Sequence, residues 1–177
     1  MKYLLLTILI FASSTVGATK IARVPLDELV RDTKYIALVK VLSAQLDESD
    51  ARCGVVYTVK TLVGIKNTSN DSTLKIFSST NSAAKLRAGQ EFIVFLDENN
   101  QEVCSHASLI VGHAGYGALW ITSPYLIDFD KAVKIPTSFI AMPGGLKTQA
   151  GQRPDDEISE VEWVDQEKLI EYLQKLR

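Results

Sequence analysis

The chain has 177 residues, of which 19 are lysine or arginine and 21 are aspartate or glutamate. This slight acidic excess argues against nucleic acid and against an anionic membrane surface as partners, because both attract a basic face. Hydrophobic residues make up 46% of the sequence, and we expect them to form the core of one domain.

The first eighteen residues have the pattern of a cleavable signal peptide. Met1 and Lys2 give a short positive start, and the apolar run Tyr3–Ala12 carries no charge. The segment Val16–Ala18 suits signal peptidase, so the mature chain is expected to begin at or near Thr19. The apolar run is about ten residues long, whereas a membrane-spanning helix needs about twenty. We therefore expect an exported protein, periplasmic or secreted, whose mature chain has no membrane span.

The next part of the chain alternates short apolar segments with polar turns. Pro25–Val30 begins with proline and has acidic residues in its first turn, which favours a short helix. At least one strand is expected within Leu109–Thr122, around Ala118–Ile121. Earlier strands are predicted at Tyr35–Ala44, Val55–Val63, Thr73–Ser78 and Glu91–Asp97. Short strands at this spacing are typical of an antiparallel barrel or sandwich, here within residues 19–140.

The C-terminal part of the sequence changes character. Residues 141–157 are rich in glycine, proline and charge, and they are predicted to form an exposed loop. Residues 158–177 are predicted to form a short strand and a final helix that Asp165 caps, packed on the barrel. The apolar stripe of that helix consists of Leu169, Ile170, Leu173 and Leu176.

The sequence contains two cysteines, Cys53 and Cys104. An even number of cysteines in an exported protein favours one disulfide, which closes a loop of about fifty residues. The alternative is a reactive thiol, with His106 close to Cys104 along the chain.

A series of motifs runs from Leu26 to Asp97. The tyrosine-bearing segment Val55–Val59 is followed by the turn Gly64–Lys66 and by the glycine-led strand Gly89–Leu96. In these motifs the chain resembles the netrin-like domains, which include the tissue inhibitors of metalloproteinases and small exported bacterial relatives. The resemblance implies a five-stranded OB-type Greek-key barrel. With the two predicted helices, we expect a mainly β fold with a short N-terminal helix and a C-terminal helix.

The expected mature N-terminus departs from the inhibitors in that group. Those inhibitors use an N-terminal cysteine whose amine and carbonyl chelate the catalytic zinc, whereas Thr19 begins a segment without cysteine. The resemblance therefore supports the fold and does not carry over the inhibitory mechanism. Fold alone licenses no function.

The two histidines, His106 and His113, are the candidates for metal binding or catalysis. Together with Cys104 they make three ligands, but a disulfide removes the cysteine, so we predict no metal and no other cofactor. Ser105 lies next to His106, yet the sequence has no Gly-x-Ser-x-Gly motif. We assign no catalytic residue, and a small secreted hydrolase that uses His106 or His113 is the alternative.

Binding remains as the leading hypothesis. His113, Tyr116 and Trp120 lie in or after a glycine-rich run and are candidate ligand contacts, although core and rim positions also explain the two aromatic residues. We therefore predict an exported non-enzymatic binding module of unknown ligand, with an extracytoplasmic protein as one candidate partner. A structural component of an envelope assembly is a further alternative. Asn67 and Asn70 begin glycosylation sequons, which matter only in a eukaryote.

Overall fold

The computed structural model describes residues 22–48, 53–78, 85–99, 104–111, 116–123, 129–150 and 161–177. The predicted signal peptide, residues 1–18, lies outside the described residues. None of the helices in the described ranges is long and apolar enough to cross a membrane.

The secondary structure is mainly β, with one helix near each end of the described chain. The first elements are β1 (Val24–Pro25), α1 (Leu26–Asp32), β2 (Tyr35–Leu46), β3 (Val55–Lys66), β4 (Thr73–Phe77) and β5 (Glu91–Asp97). The later elements are β6 (Ser108–Ile110), β7 (Ala118–Thr122), β8 (Ala132–Pro136), β9 (Ile140–Ala141), β10 (Thr148–Ala150), β11 (Val161–Asp165) and α2 (Gln166–Lys175).

Strands β2 to β6 close into a five-stranded barrel. The order around the barrel is β2, β3, β4, β6 and β5, and β5 then pairs with β2. All of these pairs are antiparallel except β4 and β6, which run parallel with Ile76 opposite Ser108. This order is that of an OB-type Greek-key barrel. The predicted fold class is therefore confirmed.

Strand β5 belongs to the barrel and also begins an extension of the same sheet. Its residues Leu96 and Asp97 pair with β6, whereas Glu91 to Val94 pair on the same edge with β7. From β7 the sheet continues through β8 and β11 to β10. The segment around Ala118–Ile121, where the sequence predicted a strand, is thus β7, and the shorter β6 completes the barrel. Strand β10, at the edge of this sheet, lies within residues 141–157, where the sequence predicted an exposed loop.

Strand β5 and the first part of β2, Ile36–Val39, are buried on both faces because they separate two hydrophobic cores. Along β2, Ala37 and Val39 face the barrel interior, while Ile36 and Leu38 face an outer core. The barrel interior consists of Ala37, Val39, Val41, Tyr57, Val59, Ile76, Leu86, Phe92, Val94, Leu96 and Ile110. The outer core includes residues of both helices and of β7, β8 and β11. This double burial explains the continuous apolar runs of the two strands in the sequence.

Helix α2 covers the outer core. Leu169 and Leu173 are completely buried, Ile170 is half-buried, and Leu176 at the end is exposed. The Asp165 carboxylate accepts a hydrogen bond from the Lys168 backbone amide at 2.9 Å, so the predicted cap is confirmed. This bond satisfies one of the free amides of the first helical turn.

The C-terminal end of α1 is held by a side chain from the barrel. Lys66 Nζ, at the end of β3, donates hydrogen bonds to the backbone carbonyls of Val30, Arg31 and Thr33 at 2.7, 3.1 and 2.7 Å. A cation suits this position because the last carbonyls of a helix lack partners and carry partial negative charge. Lys66 thereby fixes α1 against the barrel.

Gly117 lies at the branch point of β5, where the pairing partner of the strand changes from β6 to β7. Close packing requires a glycine there. The Phe95 amide donates to the Gly117 carbonyl at 2.8 Å, and the Val111 amide donates to the Phe95 carbonyl at 3.0 Å. A Cβ atom on Gly117 would lie 1.9 Å from the Val111 carbonyl oxygen. The chains leaving β6 and entering β7 therefore approach each other more closely than a side chain allows.

We expect Gly117→Ala to lower the free energy of unfolding by about 3 kcal/mol or more, because a backbone segment must shift to admit the methyl group. Urea unfolding followed by circular dichroism measures the change. Gly144→Ala is the matched control, since its Cβ meets nothing within 4 Å. Equal stabilities of the two variants would contradict this account of the branch point.

The two helices are joined by a tyrosine. Tyr172 in α2 donates a hydrogen bond from its hydroxyl to Asp27 Oδ1 in α1 at 2.6 Å. Burial, together with the hydrogen bond to Asp27 and its negative charge, raises the pKa of Tyr172 to about 12 from the usual 10.0.

Because the folded-state pKa of Tyr172 lies above the unfolded value, its stabilising contribution is complete below pH 10 and is lost between pH 10 and 12. We expect the wild type to lose roughly 1–2 kcal/mol more stability over this interval than Tyr172→Phe. Urea unfolding at pH 9 to 12, at about half-unit steps, measures the difference. Parallel pH profiles for the two proteins would show that Tyr172 is not the responsible group.

Candidate ligand-binding face

A disulfide joins two connections of the barrel. Cys53 lies in the connection between β2 and β3, and Cys104 lies in the connection between β5 and β6. Their Cα atoms are 5.4 Å apart and 51 positions separate them in the chain. The predicted disulfide is confirmed, and the alternative of a reactive Cys104 thiol is excluded because both cysteines are bonded.

The disulfide lies over a small apolar cluster on the outside of the barrel. Both cysteines are buried, with 0% and 2% of their surface exposed. They pack with Val56 of β3 and Phe77 of β4, which are paired across the two strands. Ala107 belongs to the same cluster. This packing fixes the disulfide against the outer surface of β3 and β4.

Local hydrogen bonds shape both connections near the cysteines. The Asp47 amide donates to the Gly54 carbonyl at 3.0 Å and so closes the first connection. In the second connection, Asn99 Nδ2 and the Ala107 amide donate to the Cys104 carbonyl at 2.6 and 2.9 Å. These bonds turn the backbone so that the two sulfur atoms meet.

A contact between a histidine and a carboxylate joins the same two connections. His106 Nε2 lies 2.8 Å from Asp47 Oδ2, and the exposed fractions of the two side chains are 40% and 6%. His106 was a candidate from the sequence, whereas its partner was not identified. Once the disulfide is assumed, the sequence does point to this pair. Asp47 lies six positions before Cys53, and His106 lies two positions after Cys104.

Two neighbouring clefts open beside the contact between Asp47 and His106. One cleft, of about 650 Å³, lies at the end of the barrel between the β3–β4 turn and the β5–β6 connection. The other, of about 810 Å³, runs along the outer surface of β3 and β4. Lys75 and His106 line both clefts. We call the surface of the two clefts together the β3–β4 face.

The end cleft is lined mostly by uncharged polar side chains, with apolar surface between them. Leu74, Leu96 and Ala107 supply apolar surface, and Tyr35 adds an aromatic ring. The polar lining includes Asn67, Ser69, Ser72, Asn99, Ser105 and Ser108. Such a mixture of apolar surface with a few directed polar groups is typical of binding clefts.

The rim of the end cleft carries a charged pair. The Lys34 ammonium group bonds to the Glu98 carboxylate, and the Tyr35 hydroxyl donates to Glu98 Oε1 at 3.3 Å. The hydrogen bond and charge of Lys34 lower the pKa of Glu98, and those of Glu98 raise the pKa of Lys34. Both side chains are exposed, so this pair shapes the rim more than it stabilises the fold.

The outer cleft combines a polar strand surface with an exposed leucine. Thr58 of β3 and Lys75 of β4 lie opposite each other in register and form its floor. Leu46, at the end of β2, lines its edge and has 74% of its surface exposed. Leu42 of β2 is also exposed, at 50%.

The aromatic residues predicted as ligand contacts lie elsewhere. Tyr116 packs at the edge of the outer core, with its ring centroid 6.4 Å from that of Phe139. Trp120 packs against the barrel core and makes an edge contact with Trp163 at 6.4 Å. Neither of them lines the two clefts. His113, the third predicted contact, lies outside the described residues.

The arrangement around His106 bears on catalysis. A nucleophilic mechanism needs a hydroxyl or thiol in hydrogen-bond contact with the imidazole. His106 is paired with a carboxylate, and both thiols of the chain are held in the disulfide.

Comparison with family models, with curated proteins and with solved structures finds no match for this chain. The functional argument therefore depends on the β3–β4 face and on the residues that build it.

Proposed function

We propose that the chain is an exported, non-enzymatic binding module that holds an extracytoplasmic protein on its β3–β4 face. The observation that carries this proposal is the position of the disulfide. It joins two connections whose residues Asp47 and His106 line that face and contact each other. Such a link holds a binding surface in one conformation before the partner arrives, which lowers the entropic cost of association.

The position of the face within the barrel supports the same proposal. OB-type barrels bind their ligands on the second and third strands and on the loops that flank them. In this chain those strands are β3 and β4, and the flanking loops are the two connections that the disulfide joins. The two clefts lie on this same surface of the barrel.

The chemistry of the face favours a protein partner. Leu46, at the end of β2, supplies exposed apolar surface at the edge of the outer cleft. Lys75, Glu48 and His106 surround the outer cleft with polar and charged groups. Protein interfaces commonly combine a small apolar centre with a polar rim of this kind.

Export is part of the proposal. It is supported by the signal-peptide pattern of residues 1–18 and by a disulfide that suits an oxidising compartment. A netrin-like relationship is likewise proposed, and the observed barrel order is compatible with it.

The second candidate is a small hydrolase that uses His106. The contact between His106 and the buried Asp47 carboxylate favours it, because such a carboxylate orients an imidazole for general-base catalysis. Turnover of ester, peptide or phosphate substrates that disappears in His106→Ala would support this candidate and contradict the non-enzymatic proposal.

The binding proposal is tested by photo-cross-linking in the cell that exports the protein. A benzophenone amino acid replaces Lys75 on the β3–β4 face or, as a control, the exposed Glu167 on α2. We expect one discrete protein adduct from position 75 and none of that size from position 167. Equal adducts from the two positions, or none from position 75, would contradict the proposal.

A matched pair of substitutions sharpens this experiment. Leu46→Asp is expected to reduce the adduct at least tenfold, a loss of about 1.4 kcal/mol, because it places a charge at the apolar edge of the face. Leu176→Asp changes a leucine exposed at the end of α2 and is expected to leave the adduct unchanged. A similar adduct yield for both variants would show that the partner does not use this edge.

A further inference from the structure

The end cleft, between the β3–β4 turn and the β5–β6 connection, is lined largely by hydroxyl and amide groups. Nine of the fifteen described residues that line it carry one of these two groups on their side chains. Its volume of about 650 Å³ is in the range of sites that bind small molecules. The ligand that suits this cleft therefore carries many hydrogen-bonding groups of its own.

The first wall of the end cleft is the β3–β4 turn, and its own side chains hold it in shape. Asn67 Nδ2 donates a hydrogen bond to the Lys34 backbone carbonyl at 2.9 Å, which ties the turn to the start of β2. Ser72 Oγ donates to the Ser69 backbone carbonyl at 2.8 Å within the turn. These bonds fix the wall before a ligand arrives, and such preorganisation lowers the entropic cost of binding.

The second wall is the β5–β6 connection, and it is fixed as well. Asn99 Nδ2 donates to the Cys104 backbone carbonyl at 2.6 Å, and the disulfide ties Cys104 to Cys53. Ser105 and Ser108 follow Cys104 in this wall. The cleft thus lies between two segments whose backbones are both held by local bonds.

Hydroxyl groups on both walls are available to a ligand. Ser69 and Thr73 belong to the first wall, and Ser105 and Ser108 belong to the second. None of these four hydroxyls makes a hydrogen bond to another residue in the part of the chain that the structure describes. Each hydroxyl supplies one donor and two acceptor lone pairs. A ligand in the cleft therefore meets donors and acceptors on two sides.

Tyr35 adds a half-buried aromatic ring to the lining. Its hydroxyl donates to Glu98 Oε1 at 3.3 Å, and Lys34 Nζ lies 5.5 Å from the centroid of the ring, so the ring is held in one orientation. A sugar carries hydroxyl groups around its edge and C–H groups on its faces. Hydrogen-bonding side chains suit the first, and an aromatic ring suits the second. The end cleft supplies both kinds of contact.

The charges of the end cleft disfavour an anionic ligand. Lys75 and Glu98 supply one charge of each sign, and Lys34 at the rim is paired with Glu98. A phosphate or carboxylate is held best by several cationic donors together. A purely apolar ligand is disfavoured too, because it would cover hydroxyl and amide groups and leave them without hydrogen bonds. A neutral ligand rich in hydroxyl groups avoids both costs.

We propose that the end cleft binds a neutral saccharide. The hydroxyls of Ser69, Ser105 and Ser108 form hydrogen bonds with it, and the ring of Tyr35 contacts its C–H groups. This inference goes beyond the protein partner proposed above and does not depend on it, because the protein contact is tested at Leu46 on the edge of the outer cleft. A free sugar and a unit of a glycan chain present the same chemistry to the cleft.

An array of immobilised oligosaccharides tests the proposal. It carries neutral oligosaccharides of glucose, galactose, mannose and N-acetylglucosamine, together with sulfated and sialylated ones, and the protein is applied with its disulfide intact. We expect binding to neutral oligosaccharides. Binding that requires sulfate or sialic acid, or no binding to any of them, would overturn the proposal. Competition by the free monosaccharide indicates a site for a single sugar, and competition by the oligosaccharide alone indicates a site for a glycan chain.

Substitutions on the two walls locate the site. A variant with both Ser69→Ala and Ser105→Ala is expected to bind the neutral oligosaccharide at least tenfold more weakly. A control variant with Ser43→Ala and Ser123→Ala, which lie outside the cleft, is expected to bind like the wild type. Leu46→Asp, which tests the protein contact, is also expected to leave this affinity unchanged, so the two proposals fail separately. Equal affinities of the two serine variants would overturn the saccharide site.

Amide chemical shifts of the unsubstituted protein give a measurement that does not depend on any variant. During titration with the neutral oligosaccharide, the amides of residues 67–73 and 105–108 are expected to shift, because they belong to the two walls of the cleft. The amides of α2, on the other side of the barrel wall, are expected to stay unchanged. Shifts centred on another surface, or spread evenly over the barrel, would contradict the proposal.

Discussion

The disulfide between Cys53 and Cys104 connects two parts of the barrel that no strand pairing joins directly. One cysteine lies between β2 and β3, and the other lies between β5 and β6. In the chain-entropy account, closing a loop of this length stabilises the folded state by about 4 kcal/mol. For the proposed function, the position of the link matters more than its energy, because residues of both connections line the β3–β4 face.

The rest of the fold provides a rigid base for that face. Strand β5 and the first part of β2 are buried on both sides, so the barrel shares its wall with the outer core under the two helices. Lys66 fixes α1 to the end of β3, and the contact between Tyr172 and Asp27 joins the helices. Strands β7, β8 and β11 and both helices thus cover one side of the barrel. The β3–β4 face on its other strands remains accessible to a partner.

The features that could be predicted from the sequence depend on local patterns. The apolar runs of β2 and β5 and the carboxylate cap at Asp165 are visible within a few residues, and the structure has all three. The disulfide followed from the number of cysteines and the expected compartment. The barrel order was an expectation from resemblance, and the strand pairing agrees with it.

The features that could not be predicted depend on contacts between distant segments. Strand β6 has only three residues, and the barrel around it makes it a strand. The contact between Asp47 and His106 joins residues that are far apart in the chain, and only the pairing of the neighbouring cysteines points to it. For Trp120 the sequence allows two interpretations. An aromatic residue after a glycine-rich run is compatible with a ligand contact and also with the packing seen against Trp163.

The central claim is that the disulfide holds the two connections as one preorganised unit while the barrel beneath is independent of it. Amide hydrogen exchange on the oxidised and reduced proteins tests this claim most directly. On reduction, the amides of Asp47 and Ala107, which are bonded within the two connections, should exchange faster, while Val39 and Val94 in the barrel core keep their protection. Loss of protection in only one connection, or an equal loss throughout the barrel, would contradict the account.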